Sequence, residues 1–209
     1  MESIPTGVDY SKFDPNIEDD KDGTLNGIFQ NIPEDRVVVL QLGQIVYRKG
    51  SDLFAERATS YSGYPCSHFL LVGESQTEEF SKKVKEICQK SGDRITVYDG
   101  WVDFDKIPQL ISSVDIVCLL SRPGHEGVPR VLQEACAMET PIIASNVEGI
   151  TNMFNEKEGC FIIDPFDQES FDKAVKKSLE ETPDRENFAK SIDMSKNYDR
   201  YRDIYDQIK

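Results

Sequence analysis

Positive charge is scarce in this sequence: 24 Lys and Arg face 38 Asp and Glu, a formal net charge of −14 over 209 residues. Such a surface repels nucleic-acid backbones and anionic membranes, so neither is expected as the main partner, and any phosphate site must be a local one. Histidine is nearly absent, with only His68 and His125, too few for a zinc cluster. The five cysteines, Cys66, Cys88, Cys118, Cys136 and Cys160, show no C-x-x-C spacing and three sit in apolar runs. That pattern fits reduced core thiols in a cytoplasmic protein and no disulfide framework. No apolar run nears the roughly 18 residues of a membrane span, and no basic stretch followed by an apolar one opens the chain, so neither a transmembrane segment nor a secretion signal is expected. A Gly-x-Gly-x-x-Gly is also missing after the first apolar run, where only Gly43 and Gly50 occur, which counts against a dinucleotide oxidoreductase. No acidic cluster follows that run either, which disfavours a receiver-type signalling domain.

What is present is a regular alternation. Short apolar runs at Val37 to Leu42, Phe69 to Val72, Ile95 to Tyr98, Ile116 to Leu120, Ile142 to Ala144 and Cys160 to Ile163 read as parallel strands covered on both faces. Between them, Leu53 to Tyr61, Phe80 to Lys90, Ile107 to Ser113, Val131 to Met138 and Phe171 to Leu179 carry helical spacing. Six such units predict an α/β fold, a doubly wound parallel sheet of about six strands with helices on both faces, Rossmann-like. Residues 16 to 35 are acidic and poorly periodic, with a short helix expected near Leu25 to Phe29. A ligand should lie beyond the carboxyl ends of the strands, where the Gly43 turn and the Ser121 to Pro129 loop fall.

That loop runs into the segment His125-Glu126-Gly127-Val128-Pro129-Arg130-Val131-Leu132-Gln133-Glu134. Pro129 suits a first helical position, and Gly127 and Val128 have no side-chain oxygen with which to cap the turn. The amides of Arg130, Val131 and Leu132 are then left open at the positive end of a helix dipole, a site for an anion such as a diphosphate. Glu126 before the anion and Glu134 inside the helix would flank the bound group, and carboxylates so placed suit sugar hydroxyls. The plainer alternative is that Arg130 and Glu134 form a solvated i,i+4 ion pair worth a few tenths of a kcal/mol.

Taken in order, these segments resemble the C-terminal, nucleotide-sugar-binding half of a GT-B glycosyltransferase, specifically glycosyltransferase family 4. Ile4-Pro5-Thr6-Gly7-Val8-Asp9 with Phe13-Asp14-Pro15 is similar to that family's hinge. Leu42-Gly43-Gln44 with Arg48-Lys49-Gly50 resembles its first turn, Glu126 to Glu134 its acid-x7-acid motif, and Pro141 to Ser145 the strand after it. The resemblance divides the chain into a hinge, residues 1–15, and a nucleotide-sugar-binding domain, residues 16–209, with the N-terminal acceptor domain absent.

By that resemblance Glu126 and Lys49 are the catalytic candidates, Glu126 on the donor sugar's hydroxyls and Lys49 supplying charge to the diphosphate. Glu134 would hold the ribose hydroxyls, and the Arg130 and Val131 amides, reached through Gly127 and Val128, would receive the diphosphate. Gly43 and Gln44 belong to the same turn. Gln44 departs from the family, which commonly has arginine there; an amide brings no charge, so Arg48 is the expected substitute. Asp103 falls where relatives contact the base, yet it could equally cap the helix that follows. His125 could point at the sugar or be solvated.

The implied reaction transfers a sugar from a nucleoside diphosphate sugar, a UDP- or GDP-sugar, to an acceptor hydroxyl with retained configuration. Neither a metal nor a further cofactor is expected, since no Asp-x-Asp triplet falls in a loop able to hold Mg²⁺ against a diphosphate. A separate or excised N-terminal GT-B domain is the implied partner, and the chain alone is expected to bind nucleotide with little or no transfer. Tyr198, Tyr201, Tyr205 and Ile208 form an aromatic stripe that packs either on the chain's own sheet or on that missing neighbour. Rival readings are a non-catalytic nucleotide-sugar-binding subunit or sensor, and another GT-B enzyme such as a sugar-nucleotide epimerase or a phosphorylase.

Overall fold

A computed structural model describes residues 7–17, 25–29, 32, 35–124, 127–154, 158–184 and 186. Strands and helices alternate along it: α1 (Asn26–Phe29), β1 (Val37–Leu42), α2 (Ser51–Ser60), β2 (Ser67–Gly73), α3 (Glu78–Cys88), β3 (Ile95–Asp99), α4 (Ile107–Ser112), β4 (Ile116–Leu119), α5 (Arg130–Ala137), β5 (Ile142–Ser145), α6 (Glu148–Phe154), β6 (Cys160–Ile163) and α7 (Gln168–Ser178). The six strands are all parallel, in the order β3-β2-β1-β4-β5-β6. The direction of winding reverses between β1 and β4, so a crevice opens there at the carboxyl ends of the strands.

Alternate strand residues feed two cores. Leu40, Leu70, Val72, Val117, Leu119 and Ile142 face α4, α5 and α6, whose Leu110, Ile111, Leu132, Ala135, Ile150 and Phe154 complete that layer. Val39, Phe69, Leu71, Ile116, Cys118 and Ile143 face α2, α3 and α7, through Phe54, Ala58, Val84, Phe171 and Val175. This two-sided burial is why the strands read as unbroken apolar runs. The leading segment, residues 7–17, joins the first core through buried Val8 and Phe13. No disulfide joins any of the five cysteines. Among the described residues no helix is long and apolar enough to cross a membrane.

All six strands stand where the sequence predicts them. Helices α2, α3 and α7 start at Ser51, Glu78 and Gln168, two or three residues ahead of the expected Leu53, Phe80 and Phe171. Their first turns are polar, so apolar periodicity sets in only after the helix has begun. Helix α6 was not expected; it buries Ile150 and Phe154 at i and i+4, but seven residues including Gly149 and Thr151 give too few repeats to be read as a period. The aromatic stripe from Tyr198 to Ile208 lies outside the described residues, as do Ile4 to Thr6 of the hinge motif.

Glycines draw the crevice loops together. Gly73 has φ +149°, and a Cβ there would meet the Gly43 carbonyl oxygen at 1.9 Å; Gly50 has φ +65°, and its Cβ would meet the Leu120 carbonyl oxygen at 1.8 Å. Only glycine permits either approach.

Candidate functional site

A cleft of about 350 Å³ lies at the predicted end of the sheet. Its walls come from the β1 turn (Gly43, Gln44, Lys49), the ends of β2 and β3 (Gly73, Glu74, Trp101, Phe104) and the start of α5 (Pro129, Arg130, Val131, Glu134). Of the residues singled out from sequence, the structure therefore gathers Gly43, Gln44, Lys49, Arg130, Val131 and Glu134 around one cavity. Glu126 and His125 lie outside the described residues. Arg48, Asp103, Gly127 and Val128 do not line the cleft.

The α5 start is open to that cavity. Pro129 occupies the N-cap, one residue earlier than expected, because its ψ of 126° is extended and the first helical residue is Arg130. Among the described residues no side chain makes a cap hydrogen bond there, and no acidic residue stands in the first turn. Pro129, Arg130 and Val131 line the cleft, so the positive end of the helix dipole stands at its wall. Val128 packs against the core, and its carbonyl accepts a long 3.5 Å hydrogen bond from the buried Gln133 amide.

Glu134 is buried at 6% exposure. Arg130 Nη2 sits 3.3 Å from Glu134 Oε1, so the i,i+4 pair exists, with an exposed guanidinium and a buried carboxylate, both in the cleft wall. Burial pushes the Glu134 carboxyl above its ordinary value, opposed by the positive charges of Arg130 and Lys12. A carboxylate so enclosed gains most from ligand hydroxyls that donate to it.

Lys49 ends a 3-10 turn, Tyr47–Lys49, closed by the left-handed Gly50. The buried Gln41 amide donates to the Lys49 carbonyl at 3.2 Å and to Ser51 Oγ at 3.2 Å, fixing the lysine's backbone beside the cleft. Arg48 donates from Nη2 to Gln44 Oε1 at 2.9 Å, so its charge is tethered to the residue whose missing charge it was expected to replace. A Cβ at Gly43 would meet nothing within 4 Å; that position opens onto empty space.

Asp103 stands before the 3-10 turn Phe104–Lys106 and makes no side-chain cap bond, so the cap role is not seen. Asp103-Phe104-Asp105 is an Asp-x-Asp triplet, but Asp105 is bound to Lys12 Nζ at 2.5 Å. Neither carboxylate lines the cleft.

Other groups at the site were not legible in advance. Arg122, in the loop after β4, donates to both oxygens of Asp52 at 2.7 and 3.1 Å and to the Tyr47 carbonyl at 2.5 Å, with its guanidinium 3.7 Å from the Tyr47 ring centroid. Lys83 adds a third contact to Asp52 at 2.8 Å. Burial raises the Asp52 carboxyl, but the hydrogen bonds from Arg122 and Lys83 outweigh it and leave the group below its ordinary value. This pair ties the loop leading to α5 against the turn that carries Lys49. Trp101 is 74% exposed and Phe104 46%; both are cleft aromatics, and the chain's only tryptophan, just past a strand end, was the available signal.

The model of the family described as glycosyl transferases group 1 matches residues 28–193. The chain belongs to that family. Alpha-D-kanosaminyltransferase of Streptomyces kanamyceticus is 27% identical over 160 residues, which cover 76% of this chain and 40% of that protein. Among solved structures, Anabaena HepE in complex with UDP and glucose superposes with a TM-score of 0.78 at 17% identity, over 99% of this chain and 57% of that one. The C-terminal domain of the Francisella tularensis group 1 glycosyltransferase LpcC superposes with a TM-score of 0.66 at 22% identity, over 95% of this chain and 98% of that one. This group 1 glycosyltransferase chain spans less than half the length of the curated relatives it matches.

Proposed function

We propose that this chain is the donor-binding, C-terminal domain of a GT-B glycosyltransferase of family 4. The whole enzyme transfers a sugar from a nucleoside diphosphate sugar to an acceptor hydroxyl, with retention and without a metal. One observation carries the reading: an uncapped helix start, a buried carboxylate and a lysine converge on a single cleft at the sheet's switch point. The diphosphate sits on the Arg130 and Val131 amides with Lys49 opposite, and Glu134 accepts hydrogen bonds from the ribose hydroxyls. Trp101 and Phe104 offer flat apolar surface to a base. Glu126 is assigned to the hydroxyls of the donor sugar.

As the glycosidic bond breaks, negative charge grows on the departing β-phosphate while the sugar becomes oxocarbenium-like. Amides and a lysine fixed around that oxygen stabilise the transition state more than the ground state. The acceptor site belongs to an N-terminal domain that completes the cleft, so transfer by this chain alone is expected to be absent or very weak. Because the UDP complex of HepE shares the fold, UDP is the first donor nucleotide to test. Gln44, a neutral residue in the cleft, favours as second reading a nucleotide-sugar-binding subunit without turnover; binding that yields no transfer even with an N-terminal domain supplied would select it.

The test is calorimetry with UDP, UMP and uridine. Binding should weaken in that order, and Lys49→Ala should lower UDP affinity about tenfold, roughly 1.4 kcal/mol. Equal affinity for UDP and uridine would overturn the diphosphate site. A panel of UDP, GDP and ADP by thermal shift separates the bases, since ligand at about a hundred times its Kd adds about 2.7 kcal/mol.

A further inference from the structure

The buried carboxylate of Glu134 is connected to a residue distant in the chain and behind the cleft's aromatic wall. Lys12, in the leading segment, places its ammonium 3.7 Å from the centroid of the Phe104 ring and bonds Asp105 Oδ1. The Arg130 guanidinium lies 5.4 Å from the centroid of the same ring and pairs with Glu134. Phe104 is itself held edge-on by the buried Phe13, with centroids 6.3 Å apart. Two cations gathered on one aromatic ring repel each other unless each has its own anion, and here each does: Asp105 for Lys12, Glu134 for Arg130. The result is a chain, Asp105 to Lys12 to Phe104 to Arg130 to Glu134, that spans from the leading segment to the α5 helix.

We propose that Lys12 is a positioning residue for the ribose-binding carboxylate, acting across the Phe104 ring to hold Arg130 and keep Glu134 an anionic acceptor. Lys12 does not line the cleft and would not touch the nucleotide. Its charge nevertheless favours ionised Glu134 against the burial that disfavours it. A ribose diol offers two donors, and an ionised carboxylate accepts both, whereas a protonated acid must give up one acceptor site to its own hydrogen. Among the described residues the other charged groups lining the cleft are Lys49 and Glu74, opposite in sign, and the cations acting on Glu134 are Arg130 and Lys12.

This inference rests on the reading of Glu134 as the ribose contact, and the experiment separates the two. UDP and 2′,3′-dideoxy-UDP are titrated by calorimetry into wild-type protein, Lys12→Gln, Lys12→Arg and Phe104→Leu, all checked for unchanged thermal unfolding. The proposal expects wild type to prefer UDP. Lys12→Gln should weaken UDP roughly fivefold, the scale of one cation–π contact and its charge, while leaving the dideoxy ligand within about twofold. Lys12→Arg should restore the preference, and Phe104→Leu should lose it. If wild type binds both ligands equally, the ribose reading fails and the proposal with it. If wild type discriminates but Lys12→Gln keeps the same ratio, or weakens both ligands alike, the proposal alone is overturned. Should Lys12→Gln unfold, Lys12→Met keeps the packing methylenes and answers the same question.

Discussion

Helices α3 and α7 on one side of the sheet and α5 on the other begin in opposite ways. Thr77 caps α3, accepting from the Phe80 amide at 3.2 Å, and Glu78 and Glu79 fill its first turn; Asp167 caps α7, accepting from the Glu169 amide at 3.0 Å. At α5 a proline stands in the N-cap, no side-chain cap bond is made among the described residues and no acid occupies the first turn. A helix that only needs to be stable satisfies its own first turn, because an N-cap is worth about 1 kcal/mol. One that forgoes both cap and acid leaves its positive end to something else, and in this fold that end looks into the cleft. Helix α2 is intermediate: it lacks a side-chain cap, but Asp52 in its first turn neutralises it and binds Arg122 and Lys83.

That comparison can be broken at each helix. The largest effect is expected at α2, where Asp52→Ala strands the little-exposed Arg122 guanidinium; chemical denaturation should register a loss of about 3 kcal/mol. At α5, Pro129→Asp supplies the missing oxygen and a negative charge where phosphate would sit. UDP affinity by calorimetry should drop by about tenfold or more while folding stability holds or rises. Stability lost together with affinity would mean that the proline serves packing alone. The converse substitutions, Thr77→Ala at α3 and Asp167→Ala at α7, should each cost about 1 kcal/mol in unfolding and leave UDP affinity unchanged.

A smaller signature concerns acids inside these helices. Glu134 titrates above its ordinary 4.5 in the folded chain, so the native state holds its proton to higher pH than the unfolded chain does. Its contribution to stability is therefore most favourable below 4.5 and declines as pH rises through the raised value. Glu134→Gln should flatten that part of the stability profile, read by chemical denaturation across that pH range. An unchanged slope would mean that Arg130 already offsets the burial in full.

The sheet and the open α5 start could be read from sequence because both are local. A strand buried on both faces announces itself by an unbroken apolar run, and an uncapped helix start by Val128-Pro129 with no nearby oxygen. Lys49, Gln44 and Glu134 then converge because the doubly wound order carries the ends of β1 and β4 together. Asp52 with Arg122, and Lys12 with Phe104, could not be read: the partners are 70 and 92 positions apart in the chain, and no periodicity links a charge to a counter-charge supplied by another layer. An acid before a helical turn resembles both a cap and a ligand contact; Asp103 makes no cap bond, because which way the backbone turns its side chain is set by packing. The pairing of Glu126 with Glu134 rests on Glu126, outside the described residues, so Glu134 is the half of that motif with a structural account.

The two glycine contacts under the cleft have an implication for changing what this protein accepts. Where Gly73 meets the Gly43 carbonyl and Gly50 meets the Leu120 carbonyl, main chain rests on main chain, and any larger residue would pry the neighbouring turns apart. The base of the crevice is thus out of reach of mutagenesis, and a change in which ligand the cleft prefers has to be sought in the side walls, at Glu74, Trp101 and Phe104. Libraries that randomise those three positions should yield folded proteins with shifted preferences, whereas libraries at the glycines should yield mostly unfolded ones.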